Sequence, residues 1–187
     1  RGVILVYTKG SPIPIKVDSY KFFGKGSIAG IPVPVIILIV VFLLAHYILT
    51  QTTYGRSVYA VGGNREAARL SGIRVKTSEF LVYTLNGLMC GMAGLILTAR
   101  LGSAQSTSGT GIEMDAIAAV ILGGTSLSGG VGFVLPTVVG AMIMGIIDNI
   151  LTLMNVNPHA TNIVKGAVIL IAVLVDKKVK DLSAKAE

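Results

Sequence analysis

Charged residues are scarce in this chain. They make up 13% of its 187 residues, against roughly 25% in ordinary soluble domains, while hydrophobic residues make up 52% and the mean hydropathy is +0.77. Such a composition excludes a water-facing globular domain and makes the bilayer the expected solvent. Cysteine is nearly absent. The single Cys90 lies inside an apolar run, so neither a disulfide framework nor a cysteine metal site is expected. His46 and His159 are isolated near the ends of apolar runs and read as interface anchors rather than metal ligands. No Gly-x-x-x-x-Gly-Lys-Ser/Thr loop occurs, so the chain is not expected to hydrolyse ATP. With no nucleophile and base arrangement and no ligand cluster, no catalytic residue, metal or cofactor is expected.

What is present is best counted in spans of about 20 apolar residues. The clearest covers residues 33–53, with Pro32 and Pro34 near its start, where proline is tolerated. A second covers 79–100, opened by the capping residues Thr77, Ser78 and Glu79. A third covers 131–152, and a shorter fourth covers 160–175 ahead of a polar tail, 176–187. Residues 2–8 read as the last turns of a span entered partway. Between the second and third spans, Glu113 to Leu122 is apolar after its first turn and ends in a glycine-rich stretch, 123–130. The expected fold is an all-α, polytopic transmembrane helical bundle.

The net charge of +7 marks topology rather than nucleic-acid binding, because the basic residues fall in short segments between apolar runs. Arg56, Arg65, Arg69, Arg74 and Lys76 after the first span, and Lys177, Lys178, Lys180 and Lys185 in the tail, place both segments in the cytoplasm by the positive-inside rule. Parity then requires the short segment before the third span to cross inward. About eleven helical residues reach only roughly 16 Å, so a broken, re-entrant helix fed by the loop 101–111 is one reading; a short, tilted span over 112–124 is the other. Lys9, Lys16, Lys21 and Lys25 lie on the side this topology places outside, against the bias.

Gly87, Gly91 and Gly94 in the second span, and Gly140, Ala141 and Gly145 in the third, are small residues suited to close helix packing. Thr84 and Asn86 read as interhelical hydrogen-bonding groups, and Asp148 as a snorkelling position rather than a proton site. The loop 54–77 is expected to carry two helical turns, Arg65 to Ser71, capped by Asn64 and stopped by Gly72. A helix so short is marginal in water and needs a surface to dock on.

The wording of that loop, Gly62-Gly-Asn-Arg-Glu-Ala-Ala-Arg-Leu-Ser-Gly-Ile73, resembles the cytoplasmic loop of permease subunits of the ribose-type family of ABC sugar importers. The resemblance continues in order through Asn86-Gly-Leu-Met-Cys-Gly-Met-Ala-Gly-Leu95, Gly111-Ile-Glu-Met-Asp-Ala-Ile-Ala-Ala-Val120 and Gly123-Gly-Thr-Ser-Leu-Ser-Gly-Gly-Val-Gly132. Pro136 stands where the pattern leads one to expect glycine. The resemblance implies that 1–187 is the C-terminal part of a longer permease of the cytoplasmic membrane. It implies a second permease copy, an ABC ATPase and a periplasmic or extracellular sugar-binding protein as partners, besides membrane lipid. It also gives Asn64, Arg65, Glu66, Ala67, Ala68, Arg69, Leu70 and Gly72 the role of the helix that couples to the ATPase.

The neutral polar groups Asn86, Gln105, Ser106, Thr107, Thr125 and Ser126 are candidates for the sugar pathway, where transient hydrogen bonds must not hold the cargo tightly. Each also suits the backbone needs of a broken helix. The alternative is an ion-coupled secondary transporter, which is expected to bury a coupling carboxylate; Glu113, Asp115 and Asp148 lie near predicted span ends.

Overall fold

The structure, a computed structural model, describes residues 2–184. It is built almost wholly of helices, with four two-residue strands among the described residues. Two compact units are distinguished, one formed by residues 2–48 and 76–110, the other by 49–75 and 111–184.

In the first unit, α1 (Gly2–Thr8) leads through β1 (Ile13–Pro14) to α2 (Asp18–Lys25), and β2 (Ser27–Ile28) and β3 (Ile31–Pro32) form a tight hairpin. Its two turn residues, Ala29 and Gly30, both have positive φ (51° and 82°), as a two-residue hairpin turn requires. Then comes α3 (Val33–Gln51), apolar on all sides, with Val33 its only buried residue; such a helix is dressed for lipid. The long α6 (Val75–Leu101) ends in β4 (Ser103–Ala104), which pairs antiparallel with β1. Helix α2 lies against the end of α6: the Tyr20 hydroxyl is 2.6 Å from Thr98 Oγ1, and Gly24 meets the backbone of Ala99 and Arg100. On the lysine-bearing segment ahead of α3, Lys21 pairs with Asp18 at 2.8 Å and holds that carboxyl below the usual carboxylate range.

The second unit holds α4 (Thr53–Gly63), α5 (Arg65–Leu70), α7 (Ile112–Leu122), α8 (Val134–Leu153) and α9 (Pro158–Ala184). Its core lies where α7 packs between α8 and α9, with Ala118, Ala119 and Met144 buried and Leu122, Ile147, Val168 and Ile169 around them. The α7–α8 contact is as close as backbones allow. A Cβ on Gly123 would stand 2.5 Å from Thr137 Cα, and one on Gly140 would collide with the Ala119 carbonyl. Alanine on α7 facing glycine on α8 is the small-to-small approach that drives helix association in lipid.

Among the described residues three helices, α3, α6 and α8, are long and apolar enough to cross a membrane, and α9 contains a shorter apolar stretch, Ala160–Leu174. The all-α polytopic membrane fold is thus as expected, while several element boundaries differ. Helix α4 occupies residues read as loop; Thr52 caps it by accepting from the Gly55 amide at 3.1 Å. Its three glycines, Gly55, Gly62 and Gly63, depress the local helical signal. Helix α6 starts at Val75, so Thr77, Ser78 and Glu79 lie inside it rather than capping it. Helix α9 runs on to Ala184 through the expected tail, whose lysines favour helix and which contains no glycine or proline to stop it. Residues 185–187 of that tail lie outside the described residues.

Threonines in these helices turn inward on their own backbone. Thr8, Thr84, Thr98, Thr137 and Thr152 each donate to the carbonyl four residues earlier at 2.7–2.8 Å, which satisfies a hydroxyl where water is absent. Thr84 thus donates within α6. Among the small residues, Gly140 is in tight contact, whereas a Cβ on Gly87, Gly91, Gly94 or Gly145 meets nothing within 4 Å. The two kinds of glycine predict different outcomes. Gly140→Val is expected to cost about 1–3 kcal/mol by overpacking and to lower the thermal midpoint of detergent-solubilised protein, while Gly145→Ala leaves it unchanged.

Candidate functional site

Helix α5 is one and a half turns long and capped at both ends. The Asn64 side chain accepts from the Ala67 amide at 2.9 Å, filling the N-cap role. At the other end the Gly72 amide reaches the Arg69 carbonyl (3.0 Å) and the Ile73 amide reaches the Ala68 carbonyl (3.1 Å), with Gly72 at φ 84°. This is the Schellman pattern, in which glycine supplies the left-handed residue. Glu66 and Arg69 pair along the surface at 3.2 Å; at that exposure the pair contributes little to stability. Ala68 is buried, Ala67 and Arg65 are exposed, and Leu70 is 81% exposed. A fixed helix thus presents an apolar knob and both signs of charge outward.

What carries α5 is a glycine-to-glycine contact. Helix α4 ends in Gly62 and Gly63, which lie against Gly129 and Gly130 of the turn between α7 and α8. A Cβ on Gly62 would stand 2.9 Å from Gly130 N, and one on Gly130 2.8 Å from Gly63 Cα. Gly129 and Gly130 both have positive φ (87° and 76°), so the turn needs glycine for its own shape as well. The Tyr59 hydroxyl adds a hydrogen bond to the Gly132 carbonyl at 2.8 Å. In the first turn of α4, burial pushes the Tyr54 phenol above its ordinary pKa.

Helix α7, only about 16 Å long, begins at Gly111 (φ 87°) and has Glu113 and Asp115 in its first turn, where acids complement the helix dipole. It closes as α5 does: the Gly124 amide reaches Ile121 O at 2.9 Å and the Thr125 amide reaches Val120 O at 3.2 Å. Near its start is a charged cluster that sequence reasoning missed. Lys165 Nζ of α9 lies 2.7 Å from Asp115 Oδ1 of α7 and 2.9 Å from Asp148 Oδ1 of α8. All three side chains are at least partly sheltered, with 16%, 25% and 36% exposure respectively. Asp148 is therefore paired and not merely snorkelling. The signal was Lys165 itself, a lone cation in the apolar run Ile163 to Leu174.

Of the six pathway candidates, four belong to the first unit and two to the second. Asn86 is exposed on α6, and Gln105, Ser106 and Thr107 follow β4 in the first unit. There the Gln105 carbonyl accepts from the Ser108 amide (3.2 Å) and the Thr107 carbonyl from Thr110 Oγ1 (2.7 Å). Thr125 and Ser126 belong to the second unit, where they build the turn after α7: the Ser126 amide donates to Val131 O at 3.0 Å, and its hydroxyl accepts from the Ser128 amide at 3.2 Å. Among the described residues no group of three or more His, Cys, Asp or Glu side chains could hold a metal ion.

Long apolar helices, a half-length helix closed by glycine, and a short capped helix outside the spans define a polytopic α-helical membrane protein. The chain belongs to the family described as branched-chain amino acid transport system / permease component, whose model matches residues 4–173. It is 52% identical to the ribose import permease protein RbsC of Escherichia coli (strain K12) over 182 residues, 95% of this chain and 57% of that protein. The ribose import permease protein RbsC of Bacillus subtilis (strain 168) is 49% identical over 180 residues, 95% of this chain and 56% of that protein. The xylose transport system permease protein XylH of E. coli (strain K12) is 48% identical over 151 residues, 81% of this chain and 38% of that protein. The chain thus spans about half the length of the ribose permeases it matches. No solved structure matches it.

Asn64→Ala removes the N-cap and is expected to destabilise α5 by about 1 kcal/mol. Hydrogen exchange of the amides in α5 should accelerate several-fold, with exchange in α8 unchanged.

Proposed function

We propose that this chain is part of the permease subunit of an ATP-binding-cassette importer that moves ribose or a related monosaccharide across the cytoplasmic membrane. Two copies of the permease form the transmembrane part, an extracytoplasmic binding protein delivers the sugar, and a separate ATPase supplies the energy. The observation that carries this reading is the build of α5. A helix of six residues does not persist in water by itself, yet this one is capped at both ends, rests on Ala68 and points Leu70 away from the chain. That is a docking element without its dock, and the names of the similar permeases, for ribose and for xylose, supply the kind of cargo.

In this reading α5 sits in a groove of the ATPase, with Leu70 and Ala67 filling it and Arg65, Glu66 and Arg69 meeting its charged rim. ATP binding draws the two ATPases together, α5 moves with them, and the glycine contact of Gly62 and Gly63 with Gly129 and Gly130 passes the displacement to the turn that closes α7. The bundle then switches access as a rigid-body, two-state change. The candidate pathway groups Asn86, Gln105, Ser106, Thr107, Thr125 and Ser126 contact the sugar transiently.

An ion-coupled secondary transporter is the second reading, and the sheltered carboxylates Asp115 and Asp148 favour it. Lys165 weighs against it, because its ammonium already stands where a coupling cation would bind. Uptake that survives a protonophore and a sodium-free medium but stops on ATP depletion selects the importer.

The direct test is co-purification of the full-length permease containing this segment with its ATPase. Leu70→Arg places a charge at the centre of the proposed groove contact and is expected to reduce retained ATPase and sugar uptake at least tenfold at unchanged membrane abundance. Undiminished retention would refute the assignment of α5.

A further inference from the structure

The charged cluster lies beside a cavity. Gly111, Met114, Asn162, Lys165, Gly166 and Ile169 line a space of about 350 Å³ between the start of α7 and the face of α9, at the small end of the roughly 300–1,000 Å³ typical of small-molecule pockets. Lys165 belongs to both. Its ammonium lies between Asp115 and Asp148, and its side chain forms part of the cavity wall next to the amide of Asn162.

The chemistry of the cluster specifies what it accepts. One ammonium and two carboxylates leave a net charge of minus one, and the ammonium has three hydrogens against roughly four lone-pair sites on each carboxylate. Lys165 Nζ donates to Asp115 Oδ2 at 2.9 Å and stands at ion-pair distance from Asp115 Oδ1 (2.7 Å) and Asp148 Oδ1 (2.9 Å), two buried oxygens that accept no hydrogen bond, so acceptors are in excess. The site asks for hydroxyl or amide donors. A metal ion does not fit, since the ammonium occupies the position between the carboxylates. Lipid tails do not fit, since they offer no donor and charged groups against hydrocarbon are costly. A neutral polyol does: its oxygens accept from the Asn162 amide in the cavity wall, and its hydroxyls suit the acceptor-rich cluster beside it.

We propose that the cavity bounded by Asn162, Lys165 and Gly166, with Asp115 and Asp148 behind it, is a transit site for a neutral polyhydroxylated solute. The proposal rests on the sugar-import reading and adds the residues that the cargo meets, none of which is among the pathway candidates read from the sequence. Lys165 pairs with both carboxylates, so the site is polar and its excess charge of minus one is shared across the cluster. It therefore wets and releases a sugar without holding it tightly, as transport requires.

Gly166 allows the cavity to be filled without touching the ion pairs. A Cβ there meets no heavy atom within 4 Å, so Gly166→Ala, Gly166→Val and Gly166→Leu narrow the space in graded steps. The experiment uses the full-length permease with its ATPase and binding protein in proteoliposomes, with labelled ribose and xylose as probes. The expected result is a maximal uptake rate that falls with side-chain size, at least tenfold for leucine, while membrane abundance and ATPase co-purification stay at wild-type levels. Asn162→Ala, which removes a donor and adds no bulk, is expected to lower uptake three- to tenfold. Should Gly166→Leu fail to accumulate, the alanine and valine steps and Asn162→Ala decide the matter by themselves. If the wild type carries ribose or xylose and these variants carry it equally well, the transit site is refuted and the importer stands. If the wild type carries neither, the sugar-import reading fails first.

Discussion

Helix α7 is much shorter than a bilayer is thick. Its eleven residues reach about 16 Å, roughly half the hydrocarbon thickness of about 30 Å, so at least one end of its backbone must be satisfied inside the protein. The rest of the second unit follows from that requirement. At its C-terminus, Gly124 turns left-handed and lets the amides of Gly124 and Thr125 close back on Ile121 and Val120. At its N-terminus, Gly111 admits the chain in a left-handed turn and Asp115 reaches Lys165. Along its length, alanines and Gly123 allow α8 to approach to backbone contact. Lengthening any of these side chains would separate the helices that pack against the short one.

The same glycine-rich turn serves two neighbours. Ser126 and Val131 close it internally, while Gly129 and Gly130 receive Gly62 and Gly63 from α4. Backbone against backbone is a stiff contact, because no side-chain rotamer can absorb a displacement. The segment that carries α5 is therefore joined to the end of the short helix α7 through the least compliant kind of packing available. In the proposed importer this is the mechanical step from the ATPase side to the membrane side. The charged cluster at the other end of α7 fixes that helix to α8 and α9 together, and breaking one partner of a sheltered ion group is costly.

Much of this was legible beforehand because membrane sequences are written in strong signals. Apolar runs located α3, α6 and α8, and Asn64 and Gly72 bracketed α5 by their own side-chain and backbone preferences. Helix α4 was hidden because Gly55, Gly62 and Gly63, needed for close contact, weaken a helical pattern. The continuation of α9 was hidden because a lysine-rich helix and a polar tail have the same composition. The cluster of Asp115, Asp148 and Lys165 was hidden for a different reason: Lys165 lies 50 residues from Asp115, and no local pattern expresses a contact across that separation.

The sequence by itself determined the solvent, the helical class, the short half-length segment and the capped helix outside the spans. Each of these depends on composition or on residues within one or two turns of each other. Only the tertiary structure decided which glycines are contacts and which are open, that Thr125 and Ser126 build a turn, and that a lone lysine stands between two carboxylates. Those facts depend on which helix faces which. Between apolar helices that choice is made by small residues and buried charge meeting across the fold, and not by the order in which they occur.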